Sequence, residues 1–434
     1  MAITRREFTT TMATLAAAVG LGSSEIQSMS AAFAGNSNGS VYGGTLGKPR
    51  VVWVHGAECT GCSTSLLSFL EDLGGEAVQP GSGVTLVAAL GLAGVTNYSQ
   101  TGGVATTLTG ALRAGDTFAN IADVVIDVID LQYHETVMGM GGDLATKWLK
   151  DFADYVPGTG TVLDVHGKAP GDYPFVLVVE GALQDKTGGG AWTDTPANPL
   201  TAVPWCSIGK TDDGTVENDM ASIVVQLAEK TTCVGVIPIG QCASYGGYPG
   251  CKPQITTANA GFTATDSQTG AMGTYDYLVA HSTAAAAGKV INVPGCPTNP
   301  WWFCLTVVIF MINVANPSTA ASLGLMKTDA GRRLRAVYPI PVHSAWCPHY
   351  GDYNNGIYAL KAGDAGCLQK IGCKGIMANS LCGLHGWNNQ QPQNAGSLAS
   401  LNGGKGGHCT KVGHPCMACT EKGYPDAFVP FVKK

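Results

Sequence analysis

Val51-Val52-Trp53-Val54-His55-Gly56-Ala57-Glu58-Cys59-Thr60-Gly61-Cys62-Ser63 is the stretch that decides the fold. Its leading apolar residues, 51–54, read as a short strand, and the segment from His55 to Cys62 reads as a loop bearing two thiols. Ser63 is predicted to cap a helix whose apolar residues are Leu66, Leu67, Phe69 and Leu70. Comparable apolar strands are predicted at 84–90, 124–131, 175–179, 234–239 and 290–293, with a helix over 218–230 between two of them. Strands alternating with helices predict an α/β fold built on a doubly wound parallel sheet. In such sheets ligands gather outside the carboxyl ends of the strands. Cys59, Cys62, Cys242 and Cys296 each follow a predicted strand closely, so four thiols are expected at one edge.

Composition narrows the function. Charged residues are 13% of the 434, about half the usual share, and the 59 glycines are about twice theirs. A net charge of -6 provides no basic field, and the one short arginine cluster lies within 331–335, so no nucleic acid is expected as a partner. The longest apolar run, 301–314, is interrupted by Thr306 and Asn313 and is too short to span a bilayer. It predicts a buried helix, and no transmembrane anchor is expected. At the start, Thr4-Arg5-Arg6-Glu7-Phe8, a weakly apolar stretch and then Ala32-Phe33-Ala34 read as a twin-arginine export leader over 1–34. An amphipathic helix is the alternative, opposed by the absence of charge between Glu7 and Glu25. That export route carries folded cargo, which suits a protein loaded with a metal group before it crosses the membrane.

Fifteen cysteines are present, an odd number, and seven of them fall after residue 346 with His343, His349, His408 and His414 nearby. Disulfides are the plain reading of cysteines in an exported chain, and zinc is the plain reading of a Cys-x-x-Cys pair. The pairs Cys59/Cys62 and Cys416/Cys419 stand at opposite ends of the chain, each among single cysteines. Iron-sulfur ligation tolerates such scattering and is the favoured reading of the three. Beyond about residue 325 the sequence turns Gly-, Asn- and Pro-rich with little periodicity, so bound clusters are expected to supply cross-links that hydrophobic burial does not. The stretches 101–116, 158–172 and 188–199 read as loops.

Four motifs carry a family resemblance: Glu58-Cys59-Thr60-Gly61-Cys62-Ser63, Val179-Glu180-Gly181, Gly240-Gln241-Cys242-Ala243-Ser244-Tyr245-Gly246-Gly247 and Asn292-Val293-Pro294-Gly295-Cys296-Pro297. Together with the cysteine-rich end they resemble the small subunit of nickel-iron hydrogenases. The resemblance implies a flavodoxin-like domain over 48–325 and a mostly irregular cluster-binding domain over 326–434. It implies a proximal 4Fe-4S cluster on Cys59, Cys62, Cys242 and Cys296. Val342-His343-Ser344 with Cys347-Pro348, then Gly366-Cys367 to Cys373-Lys374-Gly375, is similar to the distal 4Fe-4S motif, with His343, Cys347, Cys367 and Cys373 as implied ligands. Three residues separate His343 from Cys347 where the family has two, which leaves His349 as the fallback ligand.

The medial motif holds the main departure. Cys382, Cys416 and Cys419 resemble ligands of a 3Fe-4S cluster, whose vacant corner commonly faces a Pro; here that position is Cys409. A fourth thiolate implies a medial 4Fe-4S cluster, or 3Fe-4S if Cys409 does not ligate. Oxygen-tolerant members carry extra cysteines where this chain has Gly61 and Gly247, so an ordinary, oxygen-sensitive proximal cubane is implied. Cys206, Cys233, Cys251 and Cys304 are read as buried or locally structural thiols. Glu58 and Glu180 are candidates for a partner interface, with capping as the alternative.

The resemblance thus implies an electron-transfer subunit of a heterodimer that oxidises H2 reversibly. The nickel-iron site is expected on a separate large subunit docked over Cys59, and a periplasmic cytochrome c is the expected acceptor. Two rivals are a free-standing multi-cluster carrier, separated by nickel analysis, and a quinone-reductase subunit, opposed by the cysteine-rich end and the leader.

Overall fold

The computed structural model describes residues 50–67, 70–72, 118–120, 129–154, 175–184, 205–210, 217–251, 270–315, 317–322, 324–344, 347–387 and 407–433. The expected leader over 1–34, the strand at 84–90 and the loops at 101–116, 158–172 and 188–199 lie outside the described residues. Four parallel strands form the central sheet: β1 (Arg50–His55), β2 (Asp130–His134), β3 (Phe175–Glu180) and β4 (Cys233–Ile239), in the order β2-β1-β3-β4. The strand expected at 124–131 is therefore seen from Asp130 and reaches His134. The segment expected at 290–293 contributes two isolated parallel bridges, Val236 to Val290 and Ile239 to Val293, rather than a full strand. This is the doubly wound α/β arrangement, and the order in which strands are added reverses between β1 and β3 although all four run parallel.

Every residue of β1 and β3 is buried. Continuous apolar strands of this kind need cover on both faces. Alternate residues supply the two faces. Val51, Trp53, Val176, Val178, Ile237 and Ile239 pack against helix Pro300–Ala315, while Val52, Val54, Leu177, Val179 and Val236 pack against helices Gly142–Asp154 and Met220–Glu229. Asp219 caps the last of these, accepting from the Ser222 N–H at 3.0 Å. Its Ala221, Val224, Leu227 and Ala228 form the apolar stripe, so the helix expected over 218–230 is present. Helix Pro300–Ala315 buries Trp302, Phe303, Leu305 and Ile309, the buried helix that the apolar run predicted. Among the described residues no helix is long and apolar enough to cross a membrane.

Beyond Leu325 the structure is short helical turns and loops. Its apolar clusters are small: Val342, Ala378, Cys416 and Ala418 in one, Ala359, Leu368 and Ile371 in another. The buried Arg333 guanidinium fastens this part internally and to the chain end, reaching Asp329 at 2.8 Å, Glu421 at 2.6 Å and the Thr420 carbonyl at 2.8 Å. Gln241 Nε2 donates to the Glu421 carbonyl and Tyr338 Oη to the Pro294 carbonyl, which ties the sheet to the cysteine-rich end.

Helix Pro300–Ala315 approaches β4 at Gly235, where an added Cβ would lie 2.4 Å from Phe310 Cζ. Gly235→Ala is expected to force Phe310 aside at a cost of about 1–3 kcal/mol, lowering the thermal unfolding midpoint of the purified protein by several degrees.

Candidate iron-sulfur sites

The loop after β1 is held by hydrogen bonds to the loop after β3. Gly56 N donates to the Glu180 carbonyl, and Ala57 and Ala182 exchange backbone bonds at 2.9 and 3.0 Å. The following helix runs Gly61–Leu67, so Ser63 lies within it instead of capping it, and Leu70 belongs to a short strand, Leu70–Asp72. The cap comes from across the sheet. Glu180 Oε1 accepts from Cys62 N at 3.0 Å and Ser63 N at 3.1 Å, while Oε2 accepts from Ser63 Oγ at 2.5 Å and Trp53 Nε1 at 3.1 Å. Glu180 is 1% exposed, which makes it a capping residue and not a surface one. Glu58 accepts from Thr60 Oγ1 and pairs with His55 Nδ1, both at 3.1 Å. Beneath them, Thr136 N donates to His134 Nδ1 at 3.1 Å, so the ring proton sits on Nε2 and points at Ser63 Oγ, 3.2 Å away. Burial, reinforced by His55, lowers His134 to about 3.

Cys59, Cys62, Cys242 and Cys296 converge around this loop. Burial pushes the Cys242 thiol up to about 12, with Cys296 and Cys59 adding to the rise. Burial and Cys59 push Cys296 up to about 11, and burial and Glu180 hold Cys62 well above the ordinary thiol range. Glycines let the backbone crowd these sulfurs. Gly240, at φ +85°, would place a Cβ 2.4 Å from Cys62 Sγ, and Gly247, at φ +52°, would place one 2.8 Å from Cys242 Sγ. Thr298 N donates to Cys62 Sγ at 3.5 Å. Cys59 is exposed, so the group opens to solvent on that side.

In the second group, burial raises Cys347, with Cys367 contributing, and burial raises Cys373, with Cys347 and Cys367 contributing. His343 joins them through its N–H to the Gly375 carbonyl, 2.9 Å; the Gly375 Cα region lies against Cys373 Sγ. His343 Nε2 is buried with no protein hydrogen-bond partner, and burial lowers the imidazole, keeping it neutral. His349 is otherwise engaged: Nδ1 meets Asp352 at 3.2 Å and Nε2 meets the Thr410 carbonyl at 3.1 Å. The fallback histidine is thus engaged elsewhere.

The third group, Cys382, Cys409, Cys416 and Cys419, lines one cavity of about 350 Å³ with its mouth included, together with Val342, Ala378 and Trp387. Burial raises Cys382 to about 12, with Cys409 contributing. Burial also holds Cys419 well above the usual thiol range, with Cys382, Cys416 and Cys409 contributing. Ser380 Oγ donates to Cys382 Sγ at 2.8 Å. The remaining cysteines stand apart. Cys304 is buried in helix Pro300–Ala315, Cys233 opens β4, Cys206 faces Gln184 Oε1 at 3.7 Å, and Cys251 Sγ faces the Gly247 carbonyl at 3.5 Å.

All fifteen thiols are free of disulfides. Among the described residues no three His, Cys, Asp or Glu side chains meet at the spacing of a single metal ion. Within each group several of the thiols are near enough to raise one another. No lysine or arginine is among the causes acting on Cys242, Cys296, Cys382 or Cys419, so their ionisation needs positive charge from the bound group itself. The donor sets therefore fit iron-sulfur clusters.

Two family models match the chain. One describes the 20 Kd subunit of NADH ubiquinone oxidoreductase and matches residues 111–310; the other describes the C-terminal part of the NiFe/NiFeSe hydrogenase small subunit and matches 338–432. The periplasmic [NiFeSe] hydrogenase small subunit of Desulfomicrobium baculatum is 25% identical over 436 residues, covering 99% of each chain. The periplasmic [NiFe] hydrogenase small subunit of Solidesulfovibrio fructosivorans is 23% identical, covering 100% of this chain and 93% of the relative. Among solved structures, the Dm. baculatum [NiFeSe]-hydrogenase superposes with a TM-score of 0.56 at 24% identity, over 89% of this chain and 99% of that one. The actinobacterial-type NiFe-hydrogenase from Ralstonia eutropha gives 0.57 at 22%, over 92% and 85%.

Neutral His134 binds fewer protons in the folded protein than in the unfolded chain between its ordinary value near 6.5 and about 3. Its contribution to stability is present above pH 6.5 and is lost as the pH falls toward 3. A series of thermal midpoints from pH 7 to 4 is expected to decline, and His134→Gln is expected to decline less steeply.

Proposed function

The chain belongs to the family of nickel-iron hydrogenase small subunits, and on that premise we propose that it is the iron-sulfur electron relay of a heterodimeric hydrogenase. The observation that carries this reading is the order of the three thiol groups. The Cys296 backbone of the proximal set lies near the Cys419 thiol of the medial set and acts on its ionisation. The Cys416 N–H of the medial set donates to Cys373 Sγ of the distal set at 3.2 Å. Each group thus lies beside the next, the series that stepwise transfer requires.

Cys59, Cys62, Cys242 and Cys296 would hold the proximal cluster, Cys382, Cys409, Cys416 and Cys419 the medial one, and His343, Cys347, Cys367 and Cys373 the distal one. When bound, the clusters accept and release single electrons. The chain's own residues position and tune them. Glu180 fixes the proximal loop, and Thr298 N, Ser380 Oγ and Cys416 N aim hydrogen bonds at ligand sulfurs, which raises the potential of the group they face. Trp387 Nε1, buried and without a protein partner at the wall of the medial cavity, is a further donor there. Neutral His343 leaves the distal set one negative charge fewer than its neighbours. Exposed Cys59 marks the face on which the large subunit, bearing the nickel-iron site, would dock.

The match of the cysteine-rich end to a hydrogenase C-terminal model supports this reading over a quinone-reductase subunit, whose model covers only part of the sheet region. We read 1–34 as a twin-arginine leader, 48–325 as the flavodoxin-like domain and 326–434 as the domain of the medial and distal clusters. Two named relatives are periplasmic, which supports the same compartment here, with a cytochrome c as a fitting acceptor.

EPR of the oxidised holoenzyme is expected to lack a 3Fe-4S signal, and Cys409→Pro to gain one; a strong signal in the unaltered protein removes Cys409 from the ligand set. Gly61 and Gly247 leave the proximal group without extra thiols, so H2 uptake is expected to decay within minutes under air. Uptake sustained in air overturns the ordinary-cubane reading.

A further inference from the structure

Two loops meet where the proximal and medial groups adjoin. One follows helix Gly240–Tyr245, which carries Cys242, and includes Tyr248; the other follows Cys419 and includes Tyr424. Their side chains meet hydroxyl to hydroxyl, with the two Oη atoms 3.0 Å apart and the rings edge to face at 5.7 Å and 86°. Tyr248 is 52% exposed and Tyr424 only 4%, so the pair runs from the surface inward. The Tyr424 ring stacks on Phe431 at 5.6 Å, which fixes its plane.

The inner hydroxyl lies near both groups. Burial raises Tyr424 above the usual phenol range, the bond to Tyr248 adds to this, and Cys296 of the proximal set and Cys419 of the medial set both contribute. The Tyr248 backbone in turn acts on Cys242. Two further contacts join the same parts of the chain. Gln241 Nε2 donates to the Glu421 carbonyl at 2.8 Å, and Asp426 adds to the burial that raises Cys251 to about 11. Packing alone does not call for hydroxyls here, since a pair of phenylalanines would fill the same space. A phenol buried as deeply as Tyr424 is tolerated because its hydroxyl has a partner.

We propose that Tyr248 and Tyr424 form the latch of the seam between the proximal and medial groups. Their hydroxyl bond holds the loop of Cys242 against that of Cys419, and the Tyr424 ring keeps water from the space the electron crosses. The proposal rests on the relay reading above. The pair is neither oxidised nor reduced: one electron leaves the proximal group and arrives on the medial one, and both tyrosines act as positioning residues. A cluster's potential follows its exposure to solvent, because water favours the more highly charged reduced form. The closed seam therefore keeps both potentials low and the two groups at a fixed separation.

The test uses the purified heterodimeric holoenzyme. Tyr248→Phe strands the buried Tyr424 hydroxyl and is expected to speed deuterium exchange of the amides in 246–251 and 421–428 about tenfold; adding Tyr424→Phe removes the stranded group and is expected to restore most of the protection. In redox titrations followed by EPR, Tyr424→Ala is expected to raise the proximal and medial midpoint potentials and to weaken the spin–spin splitting between those two reduced groups. The distal potential and the iron and sulfide content should stay as in the unaltered enzyme. Tyr248→Phe, altered at a surface position and so safe for folding, is expected to weaken the same splitting with the distal potential unmoved. Unchanged splitting in both variants overturns the proposal, as does a distal shift equal to the other two, which would mark general loosening. A double Phe variant that exchanges faster than Tyr248→Phe alone overturns the hydroxyl latch. Absence of iron-sulfur signals from the unaltered enzyme overturns the relay reading beneath it, an outcome distinct from an unmoved splitting.

Discussion

The Glu180 carboxylate at the end of β3 is the contact on which the proximal loop depends. Burying an ionised carboxyl is unfavourable unless its oxygens are satisfied. Here Cys62 N, Ser63 N, Ser63 Oγ and Trp53 Nε1 satisfy them, so one side chain fixes β1, β3 and the start of helix Gly61–Leu67 together. That helix has no capping side chain of its own at its first turn, and its free N–H groups would otherwise be orphaned. Ser63 and His134 extend the network away from the thiols, and their proton positions follow from it. The loop is thereby rigid where it presents Cys59 and Cys62.

A second constraint governs the part beyond Leu325. Its apolar clusters are too small to organise so many loops, and thiols make up much of what it buries. Buried thiols resist ionisation, and nothing cationic near Cys382 or Cys419 offsets that. Positive charge from a bound polynuclear group would offset what burial costs these sulfurs. The Arg333 to Glu421 pair is the main polar fastening between its two ends, and Glu421 lies close to Cys419 in sequence.

Much of this was readable in the residues. Apolar runs at 175–179 and 234–239 predicted fully buried parallel strands, and 301–314 predicted a buried helix, because hydrophobic patterning is a local consequence of what each segment must cover. The cysteine positions predicted the three groups by motif. Other features depended on partners distant in sequence. Ser63 looks like a cap in isolation, yet Glu180, 117 residues away, outcompetes it. The 290–293 segment has a strand's composition but only two bridging rungs. His343 and His349 are alike as residues; only the fold buries one Nε2 without a protein partner and gives the other to the Thr410 carbonyl. The order of the groups, through Cys296 to Cys419 and Cys416 to Cys373, is likewise invisible in the chain. Sequence by itself determined which segments are apolar enough to form the sheet and its covering helices and where the thiols stand along the chain, since both follow from side-chain chemistry. Tertiary structure alone decided which of those atoms face one another, because hydrogen bonds and burial are settled by neighbours that the chain brings together only when folded.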